Sequence, residues 1–440
     1  MRNKNSRRDF LKVSAATGVG FWTASTSQLV FSDSPNEQIQ YACIGVGGKG
    51  NSDSNDCGRT GKVVAICDVD ERTLEKKAAR YPEAKKYFDY RTMLDEMGEK
   101  VDAVTVSTPD HNHAPAAAMA LRMKKHCFVQ KPLTHTISEA RVLGELAKRH
   151  GVATIMGNQG TANAALRKAA AVIRMGTLGK VTEVHVWTNR PIWPQGTDGP
   201  KDEPPVPKWL HWDQWIGPAP YRPYSPGYHP QNWRGFWAFG TGALGDMACH
   251  TVNMPFMALE LKNPTSIQAE TSGHNGDSYP SWSVIDFEFP ERNGRPPVQF
   301  TWYDGGKRPA DHYFPGVEEI NVAGCLVVGE KGTLYSPGDY ADSYELLGEL
   351  EDPQDVEFEE SPGHFDEWVR AIRGGPPAVS NFPDYAGPLT ENVLLGNLAV
   401  WAAAEGKGKK VEWDSANLTP ANAPELGQIV TKEYRDGYVL

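Results

Sequence analysis

The chain has 440 residues, of which 45 are Lys or Arg and 55 are Asp or Glu, so its formal net charge is −10. This length exceeds what one hydrophobic core usually organises, and we expect two domains or more. An acidic chain without a basic block is poorly suited to bind nucleic acid, and no apolar run approaches the roughly 18 residues of a membrane-spanning helix.

The N-terminus has the pattern of an export signal. Residues 6–12 read SRRDFLK, and a short, weakly hydrophobic segment follows them. This pattern is typical of a twin-arginine signal peptide, although a basic tail is the plain alternative. We therefore expect residues 1–34 to be a signal for the twin-arginine export machinery, and the bacterial protein to be periplasmic or otherwise exported. Because such proteins fold before export, we expect the six cysteines to be small buried residues rather than disulfides.

A strand followed by a glycine-rich turn comes next, in IQYACIGVGGKG. The turn has the form Gly45-x-Gly47-x-x-Gly50, and a second apolar strand, KVVAICD, ends at Asp68. In a dinucleotide-binding fold these glycines permit a tight turn and a close approach of the pyrophosphate to a helix N-terminus. Asp68 would accept hydrogen bonds from the adenosine ribose and repel a 2′-phosphate. That favours NAD over NADP, although Arg72 would soften the preference.

The next segments alternate between helix and strand. The segment after Gly50, NSDSNDCGRTG, is so polar that we expect the first helix to be short or poorly buried. Helical patterns follow at 71–80, 114–125 and 137–150, and strand patterns at 102–107, at 126–130 and in VATIMGN. This alternation predicts a Rossmann-like, doubly wound parallel sheet over residues 37–160, an α/β domain.

Ligands of such sheets bind beyond the carboxyl ends of the strands. The predicted cofactor-binding residues are therefore those of the glycine turn and the strand ends: Gly45, Gly47, Gly48, Lys49, Gly50, Asp68, Thr108, Pro109, His113, Gln130, Lys131, Asn158 and Gln159. Lys131 is the most interesting of them, because it follows an apolar strand and precedes a proline; the alternative is a surface lysine at a strand end. The histidines of DHNHAP are weak evidence for a metal, and we predict none.

The second half of the chain has a different pattern. A predicted helix at 163–176 and the strand VTEVHVWTN lead into an irregular segment, residues 190–239, which holds eleven prolines and several tryptophans. Loops of this length are usually functional, and their tryptophans either stack on sugars or only anchor the loop. SWSVIDFEF, PVQFTWYDG and the hairpin CLVVGEKGTLYS predict antiparallel strands. Residues 161–440 are thus predicted as an α+β domain with a large, mostly antiparallel, open-faced sheet, whose helices at about 364–405 pack back toward the first domain.

The segment GTGALGDMACH places Asp246 and His250 four residues apart, on one face if the segment is helical. These motifs jointly resemble those of the Gfo/Idh/MocA family of NAD(P)-dependent oxidoreductases, which act mainly on sugars and cyclitols. The resemblance covers residues 37–440 and rests on the glycine turn, Asp68, Thr108-Pro109 with His113, Lys131-Pro132 and the Asp246–His250 pair. Where the family has Glu-Lys-Pro, this chain has Gln130-Lys131-Pro132, which keeps hydrogen-bonding capacity and loses a negative charge. The stretch 212–220 and the region 228–250 look like those of an exported branch of the family.

The resemblance implies roles that suit the oxidation of a secondary alcohol. Lys131 would donate to the reacting oxygen, Asp246 would orient the hydroxyl or the imidazole, and His250 would accept the proton. The resemblance also implies a homo-oligomer, a dimer or tetramer, formed through the open face of the second sheet. Residues just before the catalytic turn are the expected selectors of the sugar: Tyr228, His229, Asn232, Arg234 and Trp237.

Three functions are compatible with these residues. The first is hydride transfer between a secondary alcohol of a sugar or polyol and tightly bound NAD(H), which a second substrate reoxidises. The second is a redox-neutral, NAD-dependent glycoside hydrolase or lyase that acts through a transient keto-sugar. The third is a non-catalytic sugar-binding protein, against which the retention of Lys131, Asp246 and His250 argues.

Overall fold

The structure, a computed structural model, describes residues 38–440, so the predicted export signal lies outside the described residues. The helices are α1 (Gly48–Thr60), α2 (Glu71–Ala78), α3 (Tyr90–Met97), α4 (His113–Arg122), α5 (Ile137–His150), α6 (Ala164–Arg174), α7 (Trp212–Ile216), α8 (Gly242–Thr251), α9 (Asn253–Leu259), α10 (His364–Ile372), α11 (Gly387–Trp401) and α12 (Gly427–Val430). The strands are β1 (Gln40–Ile44), β2 (Lys62–Cys67), β3 (Lys85–Tyr87), β4 (Ala103–Val106), β5 (His126–Val129), β6 (Thr154–Met156), β7 (Val181–Trp187), β8 (Ser266–Thr271), β9 (Ser283–Phe289), β10 (Val298–Tyr303), β11 (Gly324–Gly329), β12 (Gly332–Pro337), β13 (Glu345–Leu347), β14 (Val411–Asp414) and β15 (Thr419–Pro420).

The first sheet is parallel, with the strand order β3-β2-β1-β4-β5-β6. This order confirms the predicted Rossmann-like, doubly wound fold. Strands β4 and β5 are almost entirely buried, as expected for strands covered by helices on both faces. Because β1, β4 and β5 are neighbours, the residues that follow them meet at one edge of the sheet, where such folds bind their ligands.

The expectation that the first helix is short or poorly buried is wrong. Helix α1 has 13 residues, and Gly50, Asp53, Ser54 and Cys57 on it are buried. A Cβ atom at Gly50 would overlap the carbonyl oxygen of Gly45, so the glycine is what allows the helix to lie so close to the turn. Polar side chains with internal hydrogen bonds take the place of the apolar stripe that the sequence lacks.

The second sheet has nine strands in the order β13-β12-β11-β7-β10-β9-β8-β14-β15. Its neighbours pair antiparallel except β7 and β10, which are parallel, so the predicted, mostly antiparallel sheet is confirmed. Helix α11 is buried along most of its length and packs against β8, α8 and α5.

Helix α10 packs on the first sheet. The rings of Phe365 and Trp368 contact those of Tyr41 and Phe128, and Trp368 also donates a hydrogen bond to the carbonyl of Ala153 at 3.1 Å. Helix α10, from the C-terminal part of the chain, therefore packs against the first sheet and stabilises it. All six cysteines are buried with free thiols, which confirms that they are small core residues. Within residues 38–440, no helix is both long and apolar enough to cross a membrane.

Candidate active site

A cleft of about 600 Å³ lies at the carboxyl ends of β1, β4 and β5. The glycine turn forms one end of it, and Lys131 and Asp246 lie on its walls together with residues of the irregular segment 190–239. The predicted strand-end residues Thr108, Pro109 and Gln130 also line it. The cleft thus joins the predicted nucleotide site and most of the predicted catalytic residues.

The glycine turn has the conformation that a pyrophosphate site needs. Gly45 has a φ of +76°, and a Cβ atom there would lie 2.5 Å from the carbonyl oxygen of Ser107. Gly47 precedes α1 without a side-chain cap, so the first amides of the helix keep their donor capacity at the cleft. Free amides and the positive end of the helix dipole together favour a phosphate. These residues fit the nucleotide that the sequence predicts.

Carboxylates line the part of the cleft beside the end of β2, which we call the adenosine end because Asp68 is expected to bind the adenosine ribose. Asp68 accepts hydrogen bonds from the backbone N–H groups of Val46 at 2.9 Å and Asp70 at 3.0 Å, which ties the glycine turn to the end of β2. Burial raises the pKa of Asp68. Asp68, Asp70 and Asp89 all line the cleft, and their charge disfavours a 2′-phosphate.

Arg72 is not available to offset these carboxylates. Its guanidinium pairs with Asp70 through two hydrogen bonds of 3.0 and 2.8 Å, and it stacks on the ring of Trp209 at 3.3 Å. The predicted softening of the NAD preference by Arg72 therefore has no support in the geometry.

Lys131 and Asp246 form an ion pair at the centre of the cleft. The Nζ of Lys131 donates to the Oδ1 of Asp246 at 2.8 Å and to its carbonyl oxygen at 2.6 Å. The Nε atoms of Arg234 and Arg190 lie 3.2 and 4.0 Å from the same carboxylate. Burial alone would raise the pKa of Asp246, but Lys131 and Arg234 lower it to about 2. Asp246 is therefore an anion shared by three cations.

His250 lies one helical turn beyond Asp246 in α8 and is 3% exposed. Its ring contacts that of Tyr340 at 4.9 Å, and its Nδ1 has no hydrogen-bond partner among residues 38–440. Burial, and then the charge of Lys131, lower the pKa of His250 to about 3, so the imidazole is neutral at pH 7. The cleft lining includes Lys131 and Asp246 but not His250.

Four predicted cofactor-binding residues lie outside the cleft lining: Gly50, His113, Asn158 and Gln159. His113 is fully buried between the carbonyls of Thr108 and Pro132, each 2.8 Å from a ring nitrogen, so it holds the turns after β4 and β5 together. Asn158 is buried and accepts a hydrogen bond from Ser380 at 2.5 Å. Gln159 lines a second cavity of about 480 Å³ with Tyr340 and His364. Across residues 38–440, no cluster of three His, Cys, Asp or Glu side chains suits a metal ion.

The predicted substrate selectors divide into two groups. His229, Asn232 and Arg234 line the cleft. Tyr228 and Trp237 do not: Tyr228 packs edge-on against Phe236 at 4.8 Å, and Trp237 stacks on Tyr279 at 3.7 Å. These two aromatic residues are therefore structural anchors. The sequence interpretation also missed cleft residues of the irregular segment: Arg190, Ile192, Trp193, Gln214, Trp215, Gln231 and Trp233.

The irregular segment 190–239, which we call the strap, crosses from the second domain to the first. Around its middle it forms an aromatic cluster of its own, in which Trp212 stacks on Trp215 at 4.5 Å. The anchoring role that the sequence left open for its tryptophans thus applies to this pair, although Trp215 also lines the cleft.

The strap is fastened to the first domain beside the adenosine end. Leu210 forms an isolated β-bridge with Asp70, and Trp209 accepts a hydrogen bond from the N–H of Glu71 at 2.9 Å. The ring of His211 stacks on Phe88 at 3.9 Å. These contacts bring the strap over the turn that follows β2, so that it closes one side of the cleft.

Two family models match the chain. One, described as oxidoreductase family, NAD-binding Rossmann fold, matches residues 39–158, and the other, oxidoreductase family, C-terminal alpha/beta domain, matches residues 163–294. Together they span more than half of the chain. The first domain is therefore an NAD-binding Rossmann domain.

Curated relatives match a smaller share of the chain. A glycosyl hydrolase family 109 protein of Solibacter usitatus (strain Ellin6076) is 31% identical over 167 residues, which cover 34% of this chain and 38% of that protein. The 1-carboxy-3-chloro-3,4-dihydroxycyclo hexa-1,5-diene dehydrogenase of Comamonas testosteroni is 28% identical over 124 residues, 28% of this chain and 31% of that protein. The matches thus span less than two fifths of either relative.

Solved structures share the fold over most of the chain. The WlbA dehydrogenase from Bordetella pertussis in complex with NADH and UDP-GlcNAcA has a TM-score of 0.59 at 18% identity and covers 86% of this chain and 99% of its own. The aldose-aldose oxidoreductase from Caulobacter crescentus complexed with glycerol has a TM-score of 0.59 at 18% identity and covers 86% and 100%. At this identity the likeness shows the fold alone.

Proposed function

We propose that this chain, which belongs to the Gfo/Idh/MocA family of NAD-binding oxidoreductases, transfers a hydride between a secondary alcohol of a sugar or polyol and tightly bound NAD(H). The observation that carries the proposal is the Lys131–Asp246 ion pair in the same cleft as the glycine turn. When bound, NAD supplies the carbon that accepts or donates the hydride. The chain itself must supply the groups that hold the alcohol and move its proton.

Lys131 has the donor capacity to hold the reacting oxygen. An ammonium group has three N–H donors, and the two oxygens of Asp246 take two of them. The third remains for a substrate hydroxyl, whose pKa falls as the positive charge stabilises the developing alkoxide. Asp246 stays ionised at neutral pH because its pKa is lowered to about 2, so it keeps Lys131 paired and oriented.

His250 is the proposed proton acceptor. It is neutral at pH 7, as a base must be, and its pKa of about 3 makes it a weak base in the cleft as described. The charge of Lys131 contributes to that low pKa, and a developing alkoxide would offset this charge. The imidazole thus becomes a better acceptor as the reaction proceeds. Because His250 is buried and does not line the cleft, the substrate oxygen must approach α8 closely to reach it.

The strap supports tight retention of the nucleotide. It contacts the turn after β2 through Leu210 and stacks on Phe88 through His211, beside the adenosine end. We propose that the cofactor is NAD rather than NADP, because Asp68, Asp70 and Asp89 all face that end. A nucleotide held in this way would be carried through export by the twin-arginine machinery, which we propose for this chain together with a periplasmic location and a homo-oligomeric state.

A second candidate function is redox-neutral glycoside cleavage through a transient keto-sugar. It is favoured by the likeness to a glycosyl hydrolase family 109 protein, although the match covers only 38% of that protein. The same lysine and histidine would remove and return the proton in that reaction. The two functions differ in their products: cleavage releases the aglycone of a nitrophenyl glycoside with no net NADH.

The proposal is tested first by denaturing the purified protein and measuring released NAD(H) by chromatography. About one nucleotide per chain is expected for a tightly bound cofactor. The loaded protein is then mixed with single sugars and polyols, and the absorbance of bound NADH is followed. A protein that carries no nucleotide and binds none on addition would contradict both candidate functions.

A further inference from the structure

A buried carboxylate lies beneath the floor of the cleft. Asp53 belongs to α1 and is 2% exposed, at a position where a helix packed on a sheet ordinarily carries an apolar side chain. It does not line the cleft, and the proposed reaction makes no use of it. A buried charge is tolerated only when it is paired and hydrogen-bonded. Its partners therefore show what it holds in place.

Three parts of the nucleotide site meet at Asp53. Its Oδ1 accepts hydrogen bonds from the Nζ of Lys49 at 3.1 Å and from the Oγ of Ser52 at 3.5 Å. Its Oδ2 accepts from the Oγ of Ser107 and from the Nε2 of Gln130, both at 2.8 Å. Lys49 lies in the first turn of α1, within the Gly45–Gly50 motif, whereas Ser107 follows β4 and Gln130 follows β5. One carboxylate thus links the phosphate-binding turn to both strand ends.

The link continues to the catalytic pair. Because Asp53 only accepts hydrogen bonds, Gln130 must present its NH₂ group to Asp53 and its Oε1 to the other side. That Oε1 lies 3.4 Å from the backbone N of Lys131, whose side chain pairs with Asp246. The amide of Gln130 is therefore oriented by Asp53, and an acid at position 130 would put two carboxylates in contact.

We propose that Asp53 is a positioning residue that couples the glycine turn to Lys131, and that Asp53 and Gln130 form an exchanged pair. The negative charge of this pair is at position 53 and the amide is at position 130, and exchanging the two groups should keep one donor facing one carboxylate. The relevance of the pair to the reaction rests on the proposed function, whereas the pairing itself does not.

The test uses three variants of the full-length chain: Asp53→Asn, Gln130→Glu and the double variant that carries both. Asp56→Asn is the matched control, because Asp56 lies on the same helix and only pairs with Arg59 at 3.3 Å on the surface. After removal of bound nucleotide, the Kd for NADH is measured by fluorescence and the Tm by circular dichroism. Mass spectrometry gives the rate at which an amine reagent labels Lys131.

We expect each single variant to bind NADH about tenfold more weakly and the double variant to return to within about threefold of the wild type, since only the double variant restores one donor facing one carboxylate. The labelling of Lys131 should be faster in Asp53→Asn and return to the wild-type rate in the double variant. If the double variant loses as much NADH affinity as the product of the two single losses, the pairing of Asp53 with Gln130 is refuted. If the single variants bind NADH like the wild type, the coupling of the glycine turn to Lys131 is refuted.

If the wild-type chain binds no NADH, the proposed function is refuted, but the pairing of Asp53 with Gln130 is not yet tested. The Tm values of the variants then test the pairing. A double variant more stable than either single variant supports the pair. A double variant at least as unstable as the worse single variant refutes it.

Discussion

The strap should control how fast the nucleotide leaves, and His211→Ala is the sharpest test. The ring of His211 stacks on Phe88 at 3.9 Å with 18° between the planes, and its Nε2 lies 3.0 Å from an oxygen of Glu71. A stacked pair is worth roughly 0.5–1.5 kcal/mol, and a half-exposed polar contact adds little. If the stacked pair stabilises only the closed position of the strap, its removal should make the strap open more easily. The variant should then release NADH about 2–10 times faster than the wild type.

Release is measured by loading the protein with NADH and following its fluorescence after mixing with excess NAD⁺ in a stopped-flow instrument. His312→Ala is the matched control, since His312 packs on Tyr313 at 4.2 Å in the other domain and does not line the cleft. An unchanged release rate in His211→Ala, with an unchanged Tm, would refute the idea that the strap retains the nucleotide.

Three further predictions concern the cleft. Lys131→Met should keep its affinity for NADH but reduce single-turnover hydride transfer by about 10²–10⁴-fold, because the alkoxide loses its cation; equal rates would contradict its role. Asp68→Ser should strengthen the binding of NADPH relative to that of NADH by about tenfold. Arg72→Ala should leave the ratio of the two affinities unchanged, because Arg72 already pairs with Asp70. Fluorescence titrations with NADH and with NADPH measure both ratios. The pKa of His250 is lowered from 6.5 to about 3, so the folded state binds fewer protons than the unfolded state between these values. Stability should therefore fall as the pH falls through this range, and urea unfolding of His250→Gln should show a smaller loss; an identical loss would argue against a buried neutral imidazole.

The first domain was the most predictable part of the fold. Its strands alternate with helices whose apolar periodicity and caps are local properties of the sequence. Helix α5 (Ile137–His150) was predicted at its observed bounds, and Thr136 and Glu139 form a capping box at its start. Strand β3 and helix α3 were not predicted. The strand has only three residues, Lys85–Tyr87, which are too few to show a strand periodicity.

The site was predictable only in part. Lys131 and Asp246 were both expected from their motifs, but they are 115 residues apart, and their contact depends on how the two domains pack. Arg190 gave no local signal, since an arginine before a proline in an irregular segment is typical of any surface loop. The polar first helix was a signal that was interpreted wrongly: it indicated a buried, paired Asp53 rather than a poorly buried helix.

The sequence by itself determined that the first domain is a parallel α/β fold, where its glycine turn lies and which types of residue end its strands, because these depend on residues close together in the chain. Only the tertiary structure decided which of those side chains face the cleft. His113 came to lie between two carbonyls, Tyr228 and Trp237 became anchors, and the strap came to lie beside the adenosine end. The physical reason is that burial, charge pairing and ring packing join residues far apart in the chain, and no local pattern records those partners.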